Sequence, residues 1–355
     1  LPDMVDSYDI RSKFSSLRMI WSTVGAILAG LVPTLMIKDT LNTSMYLKVA
    51  IIFGILFGFA AVVTFIGTWE KVKPPVKTKL RDSFSEASSV FRSRSFKIFI
   101  GIYLSGQCAM DFVSGMAIYY VDDVLGGYDK GYLTMLMGVL LSSQLVGMII
   151  FTPIMTRTSK RTTILIGAPI RLASTLGLLA FSYAGAPIVP VLLLSAGVGI
   201  GNAATLTSIF AILADMADID ELITSTRRPG IVSGMATFAR KISAGLSVWF
   251  IGLLLSLVGY DTKLAHSGVS QALTTQRGIA MIFIVIPAIL VILLLIFGYI
   301  FPITNKEFDI VKKEIGRRRG TDNSTITDDE KRILERVTGF KYEDLWNVSN
   351  EHKVK

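Results

Sequence analysis

The sequence predicts an all-α, polytopic membrane bundle, and three observations carry that reading. Hydrophobic residues make up 51% of the 355 positions and mean hydropathy is +0.56, too apolar for a soluble chain of this length. Charged residues are only 18% and gather between apolar blocks. Eight of those blocks are long enough to cross roughly 30 Å of hydrocarbon at about 1.5 Å per residue.

In chain order the expected spans are Ser16–Met36, Leu47–Thr68, Ile98–Val121, Tyr132–Met155, Thr163–Ala184, Ile188–Leu213, Gly230–Val258 and Gly278–Phe301. Glycine and proline inside them are compatible with helix, because neighbouring helices and polar side chains satisfy the freed backbone groups in a membrane. Residues 1–68 then hold two spans, 69–97 a basic linker containing Pro and Ser, 98–301 six spans, and 302–355 a basic tail. An asymmetric two-plus-six division resembles a piece of something larger. Within the tail, Thr321 onward carries a helix-start pattern and an amphipathic stretch suited to folding back on the cytoplasmic face.

Lysine and arginine accumulate on the cytoplasmic side of membrane proteins. One set of loops carries sixteen, including Arg11, Lys13, Arg18, the eight from Lys71 to Lys97, Lys160 and Arg228; the opposite set carries five. That asymmetry and the even span number put both ends of the chain in the cytoplasm. The net charge of +9 therefore points to anionic lipid of the cytoplasmic leaflet, not to nucleic acid.

Several function classes drop out. Cys108 is the single cysteine, and His266 with His352 are too few and too scattered for a metal cluster. No Ser/His/Asp, metal or paired-carboxylate constellation occurs at a plausible depth, so no enzyme is expected. SAGVGIGNAA, from Ser195 to Ala204, superficially suggests a dinucleotide loop. Inside a span it is a close-packing surface of small residues, and no cofactor is expected.

What remains is charge inside the membrane. The stretch ADMADIDELITSTRRPGIVSGMATFARK, Ala214 to Lys241, places Asp215, Asp218, Asp220 and Glu221 before Arg227 and Arg228. It then carries Arg240 and Lys241 about eleven residues into the next apolar run, where an ionised side chain is costly unless paired or hydrated. Asp111, Lys241 and Arg171 lie at depths of roughly 20, 17 and 12 Å, close enough for pairing. Arg240 and Lys241 are adjacent, so a helix turns them about 100° apart and only one faces inward. Thr237 shares the Lys241 face, a hydroxyl and an ammonium in one direction, suited to a polyol or acid oxygen. Gln107, Gln144 and Asn202 are uncharged polar residues within spans; they fit a path lining, though interhelical hydrogen bonding is the commoner use.

Two motifs carry a family resemblance. YDIRSKFSSLR, Tyr8 to Arg18, is similar to a pattern close to D-Y-x-x-R-[TS]-x-L-x-S-x-R; Tyr8, Arg11, Ser12, Ser16 and Arg18 fit, whereas Ser7 and Phe14 depart. The second is the stretch from Ala214, with two acids three apart, a following arginine and a lysine fourteen residues beyond it: Asp215, Asp218, Arg227 and Lys241, with Thr237 between. Both resemble the glycoside-pentoside-hexuronide cation symporter family of the major facilitator superfamily, in the loop before helix five and the junction of helices ten and eleven. FPITNKEFDIVKKEIGRRR resembles the segment after its helix twelve.

The resemblance implies a major facilitator fold in which the eight spans are helices five to twelve, with about four helices expected to precede residue 1 in the complete protein. It implies a secondary transporter of the cell membrane, of the bacterial inner-membrane kind and monomeric when complete. Such a protein symports a small-molecule sugar, glycoside or related organic solute with sodium or protons, rocking one half against the other. Arg18, Asp111, Thr237 and Lys241 become the substrate-binding candidates, with Arg18 also fitting a plain interfacial anchor. By the superfamily arrangement Asp111 pairs with Lys241, either as a structural neutralisation or as a pair that solute separates. Arg171, on the peripheral helix nine, is left to carbonyls or water. Asp215, Asp218, Arg227 and Arg228 form a cytoplasmic gate whose ion pairs exchange between states, or more blandly a solvated loop. The family's stacking tryptophan falls at Leu206, which argues against galactoside-like recognition and leaves an amphiphilic solute, or a transport-inactive scaffold, as alternatives.

Overall fold

The computed structural model describes residues 43–67, 87–127, 131–266 and 269–346, with scattered positions between 21 and 37. Among the described residues the regular structure is helical, without a strand. The helices are α1 (Thr43–Gly67), α2 (Arg94–Tyr119), α3 (Tyr132–Arg157), α4 (Lys160–Gly177), α5 (Ile188–Thr224), α6 (Pro229–Leu257), α7 (Thr262–His266), α8 (Leu273–Ile300), α9 (Asn305–Arg318) and α10 (Asp328–Thr338).

Seven of these are long and apolar enough to cross a membrane: α1, α2 through Val124, α3, α4 through Phe181, α5, α6 and α8. They coincide with seven of the eight expected spans. The first, Ser16–Met36, falls largely outside the described residues, and Arg18 lies outside them altogether. The perimeter exposes Ile149, Leu193, Val248 and Ile289, an apolar surface suited to lipid and not to water.

Local chemistry sets the ends. Ser93 and Ser159 cap α2 and α4, their hydroxyls accepting the N–H of Phe96 at 3.4 Å and of Thr162 at 3.0 Å. α2 ends in a π-helical turn, Tyr120–Val124. The longest departure from the expected boundaries is α5, which runs past Leu213 and through its acidic residues to Thr224. Those acids are held by cations from elsewhere, so the helix has no need to stop where hydrophobicity lapses.

α5 is the axis of the packing, with α3 on one side and α4 on the other. Its small-residue run allows this. A Cβ added at Gly199 would lie 2.4 Å from the Leu140 carbonyl oxygen, and one at Gly201 would lie 2.6 Å from both Arg171 Cβ and the Gly167 oxygen. The other long neighbour pair is α2 with α8, and α6 leans on α2. Apolar side chains fill two cores. One gathers Phe112, Met116, Tyr120, Leu140 and Phe283. The other joins Phe96, Phe99, Ile209 and Leu222 to tail residues Val311, Leu334, Val337 and Leu345.

The tail is therefore part of the fold. α9 and α10 each start in a capping box, Thr304 with Glu307 and Thr327 with Glu330. Ser95 donates to the Val337 carbonyl at 2.5 Å, and the Trp346 N–H donates to the Leu222 carbonyl at 3.1 Å. Gly339 ends α10 at φ 83°, where a Cβ would also meet Arg94 at 2.9 Å, so both backbone and space require glycine.

Candidate functional site

Two polar regions stand out, one midway along the helices and one at the bundle end covered by the tail. The first starts on α2, where Leu104, Gln107, Asp111 and Ser114 fall on one half-exposed to exposed stripe at helical spacing. Asp111 is met by Arg240 of α6, whose Nη1 donates to Oδ2 at 2.8 Å and Nη2 to Oδ1 at 2.7 Å. The pair is bidentate, and the two side chains keep only 21% and 24% exposure.

This corrects the expected partner: Asp111 pairs with Arg240, not Lys241. The reason is the azimuth of α6. Val232, Ala236, Ser247 and Ile251 are on its buried face, Ile251 lies against Gly115 of α2, and Arg240 follows Ala236 by one turn. Lys241 is rotated off that face; it and Thr237 are exposed, and Lys241 forms no ion pair among the described residues. Cys108 of α2 meets the Ser243 hydroxyl of α6, marking the same seam. The guanidinium fork matches a carboxylate as an ammonium cannot. Depth was readable in the sequence; which of two adjacent cations turned inward was not.

Behind the stripe two of the three uncharged polar candidates, Gln144 and Asn202, form an interhelical chain with Arg171. Arg171 Nη1 donates to the Gly106 carbonyl at 3.2 Å and to Asn202 Oδ1 at 2.9 Å, and Asn202 Nδ2 donates to Gln144 Oε1 at 2.8 Å. Gln107 stays on the open stripe.

At the tail-covered end, four acids of α5 each have a cation. Lys160 of α4 takes Asp215. Arg227 takes Asp218 at 3.1 Å, and Arg228 takes Asp220 through Nε at 3.0 Å and Nη2 at 2.8 Å. Arg319, beyond α9, takes Glu221. The expected cluster of Asp215, Asp218, Arg227 and Arg228 is gathered here, but its pairing extends further than those four residues. Lys160 and Arg319 come from segments distant in sequence, so no local spacing announced them. Only Ser225 to Arg228 separates α5 from α6, and Ser225 is left-handed at φ 59°.

The tail adds a second ionic layer. Glu314 is buried and accepts from Arg317 at 3.2 Å, Arg318 at 2.9 Å and the Tyr342 hydroxyl at 2.7 Å. Burial pushes the Glu330 carboxyl up, but the hydrogen bond from Arg317, the Thr327 N–H and nearby cations outweigh it, so its pKa is lowered. Glu307 is lowered as well: burial raises it, and the Thr304 hydroxyl and N–H with Arg336 more than offset that. Among the described residues no group of three or more His, Cys, Asp or Glu is gathered to hold a metal ion.

Seven helices long and apolar enough to cross a membrane, with a bidentate carboxylate–guanidinium pair between two of them and ion pairs gathered at one end, define a multi-pass membrane protein. The chain belongs to the MFS/sugar transport protein family, whose family model matches residues 1–305. It is 28% identical to the glucuronide carrier protein homolog of Escherichia coli K12 over 61% of this chain and 46% of that protein. A Salmonella typhimurium protein named as a candidate sulfoquinovose importer is 24% identical over 92% of this chain and 68% of its own length. The isoprimeverose transporter of Lactiplantibacillus pentosus is 25% identical over 77% of this chain and 57% of its own. The chain spans about half to two thirds of the length of these curated relatives.

Proposed function

We propose that this chain forms part of a secondary transporter that couples movement of a sugar, glycoside or related organic solute to a cation gradient by alternating access. The observation that carries the reading is the Asp111–Arg240 pair on a half-open polar stripe. Two charges held at that depth in a membrane are costly, and a solute that supplies replacement hydrogen bonds separates them without stranding either. The names of the relatives agree, being those of a glucuronide carrier homolog, a candidate sulfoquinovose importer and an isoprimeverose transporter.

In this proposal Asp111 and Arg240 anchor solute hydroxyl or acid oxygens; Thr237 and Lys241, on the exposed side of α6 next to Arg240, and Arg18 are further candidates for solute contact. Asp215, Asp218, Asp220 and Glu221, with Lys160, Arg227, Arg228 and Arg319, form the gate at the cytoplasmic end, and release of those pairs accompanies opening. Sodium or a proton is the coupling cation. The complete protein works as a monomer in a bacterial inner membrane, with the tail inside the cell.

The test is uptake by the complete gene product in proteoliposomes, with glucuronides, sulfoquinovose and isoprimeverose offered under imposed sodium or proton gradients. Accumulation against the solute gradient is expected for one of these classes and is lost in Asp111→Asn. Solute binding without gradient-driven accumulation, under either cation, overturns the proposal.

A further inference from the structure

Arg171 is fully buried at 0% exposure, and the transport reading gives it no task. Among the described residues only its Nη1 is bonded, to Gly106 and Asn202, Nε and Nη2 have no partner, and Arg171 forms no ion pair. A guanidinium buried without a counter-charge is a costly way to join helices that already interlock through glycine. The interlocking is tight without it: a Cβ at Gly106 would lie 2.8 Å from Thr205 Cγ2, and one at Gly167 would lie 2.2 Å from Ala204 Cβ.

The bond to Gly106 has a particular place. Gly106 immediately precedes Gln107 and lies on the buried side of α2, opposite the stripe that carries Gln107 and Asp111. A donor that grips the carbonyl there resists rotation of α2 about its own axis. The grip is itself oriented, because Asn202 takes the same nitrogen from α5 and is held in turn by Gln144 of α3. The helix that offers Asp111 to Arg240 is thus indexed, through one buried cation, against three other helices.

We propose that Arg171 is a positioning residue: through Gly106 and Asn202 it sets the rotation of α2 that turns Gln107 and Asp111 into the solute passage. The use of that face rests on the transporter reading; the rotational control does not. Neutral removal of Arg171 lets α2 turn, which swings Gln107 toward the protein interior and loosens Asp111 from Arg240. Lysine at 171 keeps a charged donor for the same two acceptors.

The experiment reads rotation directly. In the complete gene product carrying Cys108→Ser, Gln107→Cys is labelled with a membrane-impermeant thiol reagent, and only the folded, monodisperse fraction is scored. Arg171→Met is expected to slow labelling roughly fivefold, and Arg171→Lys to restore it to within about twofold of the parent. Labelling unchanged in folded Arg171→Met, with only a lower Tm, overturns the proposal and leaves a brace. If Arg171→Met does not fold, Asn202→Ala decides: slowing of roughly twofold supports the proposal, and an unchanged rate overturns it. A parent protein that binds none of the offered solutes would sink the transporter reading while leaving this comparison intact.

Discussion

Replacing Arg240 and Lys241 one at a time separates two adjacent cations that the sequence does not distinguish. Arg240 holds Asp111 through two bonds of 2.7 and 2.8 Å, with both side chains about three quarters withdrawn from solvent. Opposite charges about 4 Å apart attract by roughly 4 kcal/mol at an effective dielectric of about 20. Desolvation offsets much of that, so the intact pair contributes little net; removing one partner, however, strands the other and costs about 3 kcal/mol. Arg240→Met and Asp111→Leu are each expected to destabilise by about 3 kcal/mol, whereas the double variant returns to within about 1 kcal/mol of the parent. Lys241→Met, removing an exposed side chain with no ion pair, should shift stability by less than about 0.5 kcal/mol. Denaturant unfolding of purified protein in a fixed detergent reads all four. Additive losses in the double variant, or a Lys241→Met loss as large as that of Arg240→Met, would refute the reasoning.

Two further outcomes follow from the tail-covered end. Arg228 and Asp220 retain 13% and 5% exposure, against 47% and 20% for Arg227 and Asp218. Arg228→Ala should therefore cost about 3 kcal/mol and Arg227→Ala under about 1 kcal/mol in the same unfolding assay; equal costs would contradict the burial argument. Glu307 and Glu330 are both held below the ordinary value of 4.5 in the folded tail. A depressed carboxyl contributes stability that is complete above its unfolded value and is lost as pH falls through the lower folded one. Hydrogen exchange across residues 305–338 should stay slow at neutral pH and quicken, relative to intrinsic rates, as pH drops below 4.5. Protection equal at pH 6 and about pH 3 would show that these carboxylates do not hold the tail.

Much of the architecture could be read from hydrophobicity because the bilayer allows few alternatives. Runs such as Tyr132–Met155 and Gly278–Phe301 have nothing to become but helices, and α3 and α8 occupy them. The glycine run at Gly197 to Gly201 was legible as a packing surface for the same reason. Positions of charge were legible only in depth. α5 outruns Leu213 because Lys160, Arg228 and Arg319 neutralise its last turns, and two of those three cations come from segments distant in sequence. Whether Arg240 or Lys241 meets Asp111 depends on how α6 leans against α2, a tertiary choice that a one-residue offset reverses. Local periodicity carries no such information, whereas the helix-start pattern from Thr321 onward announced α10, which opens in the Thr327–Glu330 capping box.

The family match stops at residue 305, yet Val311, Leu334, Val337 and Leu345 are as completely enclosed as Phe96 and Leu222, against which they pack. Whoever trims the gene at that homology boundary therefore unroofs the bundle, baring a greasy floor and depriving Glu221 of Arg319. A cloning decision that looks like removal of an appendage takes away, for this polypeptide, one wall of a shared apolar core.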